Sequence, residues 1–175
     1  MKLIITGFMG CGKTLVAREL ARRVNLEMVD LDERITEREG RSPAQLIVEA
    51  GEPAFRAIES KALRELLETK AAGVIALGGG AWIQEENREL IHHHNWLSVW
   101  LDASFDVCWG RIEASGDDRP LGKTREEALA LFDGRRPIYQ VADVHITVRT
   151  EDDVDDLVDK IAGFAGLNPA NPERS

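Results

Sequence analysis

Short apolar runs alternate along the chain with stretches whose apolar residues recur at helical spacing, and the two periods divide it into strands and helices. Residues 3–5, Leu-Ile-Ile, are apolar without a break, as expected of a strand covered on both faces. A helix follows from residue 15 to about 22 or 23. Residues 26–29 read as a second strand running into Asp30, 73–77 as a third, 96–101 as a fourth and 144–148 as a fifth. Between them the pattern predicts helices over 33–39, 43–51, 53–68, 85–91, 105–114 and from 124 towards 142. In 53–68, Phe55, Ile58, Ala62 and Leu66 carry the core-facing spacing.

Capping residues sharpen these boundaries. Gly40 closes one helix, Ser42-Pro43 opens the next, and Ser104 caps the helix at 105. Thr124 with Glu127 forms a capping box for a helix that carries Pro137 inside it. Thr150 is expected to open a last amphipathic helix reaching about 164. Residues 115–123 are polar and Gly-containing and read as a mobile loop, and the tail 167–175 is expected to be disordered. Strands alternating with helices indicate an α/β layered fold around a largely parallel sheet, with ligands at the carboxyl ends of the strands.

Composition adds three constraints. A length of 175 residues suits a single domain over 1–166, and 43% hydrophobic with 30% charged residues is ordinary for a globular protein. The formal charge of −9 argues against wrapping nucleic acid or an anionic membrane, so any anionic ligand must be held by local positive groups. Cys11 and Cys108 form no C-x-x-C pair or disulfide framework, no apolar run nears membrane-spanning length, and the start of the chain runs directly into a strand. A cytoplasmic location is expected.

The chemistry begins directly after the first strand. Gly7-Phe8-Met9-Gly10-Cys11-Gly12-Lys13-Thr14 is G-x-x-x-x-G-K-[ST] placed between a strand and a helix. Backbone N–H groups of such a loop converge on one anion and the helix N-terminus adds its dipole. The expected ligand is a nucleoside triphosphate, with Lys13 on its β- and γ-phosphates and Thr14 on Mg²⁺. Further candidates follow other strand ends. Asp30-x-Asp32 offers one carboxylate for a metal and one to take a proton, although Asp32 ahead of residues 33–35 also fits a helix N-cap. Gly78-Gly79-Gly80 suggests close approach of backbone to a ligand, or a flexible turn. Arg56, Arg119 and the pair Arg135-Arg136 stand beside turn signals, where guanidinium groups can hold carboxylates or phosphates or simply face solvent. His92, His93 and His94 read as exposed helix-end residues. The four tryptophans read as packing, with Trp82 beside the glycines the one placed to sense a ligand.

In kind, order and spacing these features resemble shikimate kinases from Lys2 to about Val148. The resemblance is carried by the phosphate loop, Asp30-Leu31-Asp32, Gly40-Arg41-Ser42, Gly51-Glu52-x-x-Phe55-Arg56-x-x-Glu59, the triple glycine, Arg119-Pro120-Leu121 and Arg135-x-Pro137-x-Tyr139. It implies a three-layer α/β/α fold like that of nucleoside monophosphate kinases. A five-stranded parallel sheet, a helical substrate-binding segment at about 31–60 and a lid at about 113–124 belong to that fold. It implies transfer of the ATP γ-phosphoryl group to the 3-hydroxyl of shikimate, on the route to chorismate and aromatic amino acids, by a monomer. By the same resemblance ATP meets Gly10, Cys11, Gly12, Lys13, Thr14, Leu15, Arg111 and Arg119, with Arg111 on the adenine. Shikimate meets Asp32, Arg56, Gly78, Gly79, Gly80 and Arg135, and Mg²⁺ meets Thr14 and Asp30. Lys13, Asp32 and Arg119 are the implied catalytic residues. The chain departs from the family in having Gly122 where a second leucine is frequent after the lid's Arg-Pro-Leu. A kinase for another small hydroxylated acid, such as gluconate, is the nearest rival, and a catalytically silent nucleotide-binding regulator a more distant one.

Overall fold

A computed structural model describes residues 2–69, 72–115, 122 and 124–166. Five strands, β1 (Leu3–Thr6), β2 (Met28–Asp30), β3 (Val74–Ala76), β4 (Leu97–Ala103) and β5 (Val144–Val148), form one parallel sheet in the order β2-β3-β1-β4-β5. The central strand β1 is buried along its whole length, as its unbroken apolar run requires. Register places Ile5 between Ala76 of β3 and Val99 of β4, so β1 and β3 end at nearly one level while β4 runs on to Ala103.

Among the described residues eight α-helices complete the layers: α1 (Lys13–Arg23), α2 (Leu31–Glu39), α3 (Pro43–Ala50), α4 (Glu52–Thr69), α5 (Glu85–His93), α6 (Phe105–Ser115), α7 (Arg125–Tyr139) and α8 (Val154–Ala165). Parallel crossovers are right-handed. The step from β1 to β2 runs one way along the sheet and the later steps run the other way. Hence α1 covers one face and α4, α5 and α7 the opposite one. Helix α8 returns to pack on α1. The strand order reverses beside β1, which puts the ligand crevice of such a sheet at the ends of β1 and β3.

The cap signals at Gly40, Ser42 and Thr124 hold: Ser42 and Thr124 each make a reciprocal capping box, and the Gly40 N–H reaches the Thr36 carbonyl at 2.9 Å. Elsewhere the ends move. Strand β2 lies two residues later than its apolar run, because Met28, Val29 and Asp30 are the residues that find partners on β3. Helix α7 stops at Tyr139, short of 142. Helix α8 starts at Val154, not Thr150: Asp153 accepts from Asp156 N at 2.9 Å, and a carboxylate cap outcompetes the earlier hydroxyl. The predicted core face of α4 is present, with Phe55, Ala62 and Leu66 buried and Ile58 packed at its margin, but buried Glu59 interrupts it.

Candidate active site

The phosphate loop joins β1 to α1 and is pressed from behind by α6. Gly10 has φ +78°, and a Cβ there would stand 2.5 Å from the Cys108 carbonyl oxygen, so both backbone angle and space require glycine. Gly12 is the N-cap of α1. Lys13 spans the loop and donates from Nζ to the Phe8 carbonyl at 3.0 Å. Arg111, on α6, donates to the carbonyls of Cys11 at 3.0 Å and Gly10 at 3.4 Å, which fixes the loop from outside. Cys11 is fully buried, a small filler against Gly7, while Leu15 is 60% exposed at the mouth. A cleft of about 570 Å³ opens over the loop. Its walls include Asp30, Asp32, Gly78, Gly79, Arg111 and, just ahead of α8, Asp152.

Asp30 and Asp32 do not project side by side from a strand, as the alternation of β2 predicts. Asp30 ends β2 and caps α2, and Asp32 already belongs to that helix. Asp30 Oδ1 accepts from Asp32 N at 2.9 Å and Glu33 N at 3.3 Å, while its Oδ2 accepts from the Thr14 hydroxyl at 2.7 Å. The N-cap reading of this pair is therefore right for Asp30, not for Asp32. One carboxylate thus ties the phosphate-loop helix to the segment that carries Asp32.

The three glycines serve their neighbours' side chains. A Cβ on Gly78 would stand 2.5 Å from Asp32 Oδ1, and one on Gly80 would overlap the Arg56 guanidinium. Gly79 would meet Met9 N only at 3.5 Å, but its carbonyl accepts from Arg135 Nη1 at 3.2 Å and from the Tyr139 hydroxyl. Arg56 lies over the Phe55 ring, with Glu52 at 2.9 Å and Glu59 at 2.8 Å. Glu59 is almost wholly buried, and that burial pushes its carboxyl up to about 7 even though Arg56 pulls it down. Asp32 and Arg135 both bear electrostatically on Glu59, which places it near both. Arg136 turns away, donating to Asp102 Oδ2 at 2.9 Å with its guanidinium over Trp100. Arg135 alone of the pair faces the glycines.

Sequence reasoning assigned no role to Glu59, Tyr139 or Asp152. The first two stand inside the motifs quoted for the resemblance, and the i, i+3 step from Arg56 to Glu59 was the available signal; nothing in the chain marks Asp152. Arg119, Pro120 and Leu121, and with them most of the expected lid, lie outside the described residues. Gly122 has φ +73°, a backbone angle at which a leucine would be strained, and a Cβ there would stand 3.1 Å from both Ala128 Cα and Met9 Cε. His92 and His93 form the exposed last turn of α5, capped by His94. Trp82, Trp96 and Trp100 are core residues and Trp109 packs at its edge.

The family model described as Shikimate kinase matches residues 9–165. The chain belongs to the shikimate kinase family. A shikimate kinase of Streptococcus thermophilus is 39% identical over 160 residues, covering 88% of this chain and 96% of that one. Another, of Ruegeria pomeroyi, is 36% identical over 162 residues, covering 91% of this chain and 82% of the relative. The solved shikimate kinase of Acinetobacter baumannii in complex with shikimate superposes with a TM-score of 0.84 at 31% identity, covering 94% of this chain and 92% of that one. As a member of the shikimate kinase family the protein is a kinase with the α/β phosphate-loop fold. A kinase using ATP implies a divalent cation. The Thr14 hydroxyl and Asp30 carboxylate are the hard oxygen donors such an ion takes. Among the described residues no helix is long and apolar enough to cross a membrane.

Proposed function

We propose that this protein transfers the γ-phosphoryl group of ATP to the 3-hydroxyl of shikimate, releasing ADP and shikimate 3-phosphate on the route to chorismate and the aromatic amino acids. One observation carries the reading: Asp32, Arg56 and Arg135 reach a single triple-glycine turn beside the phosphate loop. An acceptor side with one carboxylate and two guanidinium groups suits a hydroxylated acid, because two arginines answer its carboxylate.

On the donor side, the amides of Gly10, Cys11, Gly12 and Leu15 surround the phosphates, Lys13 moves from the Phe8 carbonyl onto the β- and γ-phosphates, and Arg111 meets the adenine. Thr14 and Asp30 would hold Mg²⁺, which would supply positive charge to offset that of the phosphates. Arg56 and Arg135 grip the shikimate carboxylate while Gly78, Gly79 and Gly80 border its ring. Asp32 accepts the proton of the 3-hydroxyl as that oxygen bonds to phosphorus and the β–γ bridge breaks. Arg119 neutralises charge on the transferring group. Such catalysis is mostly positioning and electrostatics. The working form is a cytoplasmic monomer.

The test is ADP release with Mg²⁺ and ATP, coupled to shikimate and run in parallel with gluconate and nucleoside monophosphates. Turnover with shikimate alone is expected. A folded protein that releases no ADP in response to shikimate would overturn the reading.

A further inference from the structure

Helix α7 reaches the triple glycine with two donors four residues apart, and both end on the same atom. The Gly79 carbonyl oxygen accepts from Arg135 Nη1 at 3.2 Å and from the Tyr139 hydroxyl. Residues at i and i+4 lie one above the other on a helix, so this convergence is built into α7. Tyr139 is 1% exposed, and its ring stacks on Trp100 with centroids 6.3 Å apart and planes within 15°. Burial raises the hydroxyl above its ordinary pKa although Arg135 opposes this, so the group remains a donor throughout the neutral range.

A carbonyl with two lone pairs can hold both donors, but Arg135 has a second duty once substrate arrives. A guanidinium tethered through Nη1 to a backbone oxygen is restricted in which pair of its N–H groups it can turn toward a carboxylate. We infer that Tyr139 is a positioning residue that keeps the Gly79 carbonyl satisfied and so frees Arg135 for the acceptor's carboxylate. The same bond fixes the plane of the Gly79–Gly80 peptide, because C=O and N–H lie on opposite sides of one rigid unit. Gly80 packs directly against Arg56, so both guanidinium groups are referenced to that one peptide. The inference rests on the assignment of shikimate as acceptor, and one arm of its test does not.

Tyr139→Phe removes the hydroxyl and keeps the ring on Trp100. KM for shikimate is expected to rise about tenfold, the order of effect of one buried hydrogen bond lost from a competing pair. The kcat and the KM for ATP should stay within about twofold. Because Tyr139 acts through Arg135, the same change made in an Arg135→Lys background should alter shikimate KM by less than about twofold. In the ligand-free protein the Gly80 amide resonance should shift in Tyr139→Phe. An unchanged shikimate KM, an equal rise in both KM values, or full additivity with Arg135→Lys would each overturn the proposal. If the wild-type protein ignores shikimate the acceptor assignment fails instead, and an unmoved Gly80 amide then removes the positioning role as well.

Discussion

Asp32 stands on the first turn of α2 with Gly78 directly beneath it, so its carboxylate is fixed by a helix start and by the absence of a side chain opposite. Replacing it by Asn keeps the shape and removes the proposed proton acceptor. Asp32→Asn is expected to lower kcat by about 10²- to 10⁴-fold with ATP binding nearly intact, as read by steady-state rates and nucleotide titration. Full turnover in this variant would end the assignment of Asp32 as base. Glu59 offers a different measurement. Its carboxyl ionises near 4.5 in the unfolded chain and near 7 when folded. Between those values the folded state binds the additional proton. The stabilisation linked to this group is complete below about pH 4.5 and is lost as pH rises through 7. The Tm of wild type minus that of Glu59→Gln should therefore decline across this window, and a flat difference would contradict the assigned shift.

At the scale of elements, the backbone explains two glycines that contacts alone would treat alike. An added methyl at Gly40 or at Gly134 would meet nothing within 4 Å. Gly40, however, has φ +67° at the C-cap of α2, whereas Gly134 lies inside α7. Gly40→Ala is expected to destabilise by about 1–2 kcal/mol and Gly134→Ala to stabilise by up to about 1 kcal/mol in denaturant titrations. The same distinction marks what could be read in the sequence. Gly40, Ser42 and Thr124 act on groups within four residues, so their caps were legible. The apolar runs of β1, β3 and β4 announced a parallel sheet for the same local reason. Asp30 was not fully legible, because it serves the α2 N-terminus and the Thr14 hydroxyl together, and the second partner is sixteen residues away. The triple glycine suggested close approach of the backbone to a ligand, or a flexible turn. That the visitors are the Asp32 and Arg56 side chains, and that Glu59 is buried behind Arg56, depends on packing of α2 and α4 against the end of β3.

Over the whole molecule, a chain with a formal charge of −9 must attract two anionic ligands to one crevice. On the proposed reading it does so with positive groups carried on separate elements. Lys13 and Arg111 belong to α1 and α6 around the phosphate loop, while Arg56 and Arg135 belong to α4 and α7 on the far side of the triple glycine. Asp30, bonded to both Thr14 and the start of α2, links the two halves directly. Donor and acceptor binding should then respond separately to substitution. Arg56→Lys keeps the charge beside Glu59 and Glu52 but loses the planar fork that grips a carboxylate in two places. Loss of one charge-assisted bond is worth about 1.5–3 kcal/mol, so KM for shikimate should rise by about 10- to 100-fold. KM for ATP should be unchanged within error in the same assay. A matching rise in the ATP value would mean that Arg56 supports the crevice as a whole, and the division into a donor half on α1 and an acceptor half on α4 and α7 would have to be abandoned.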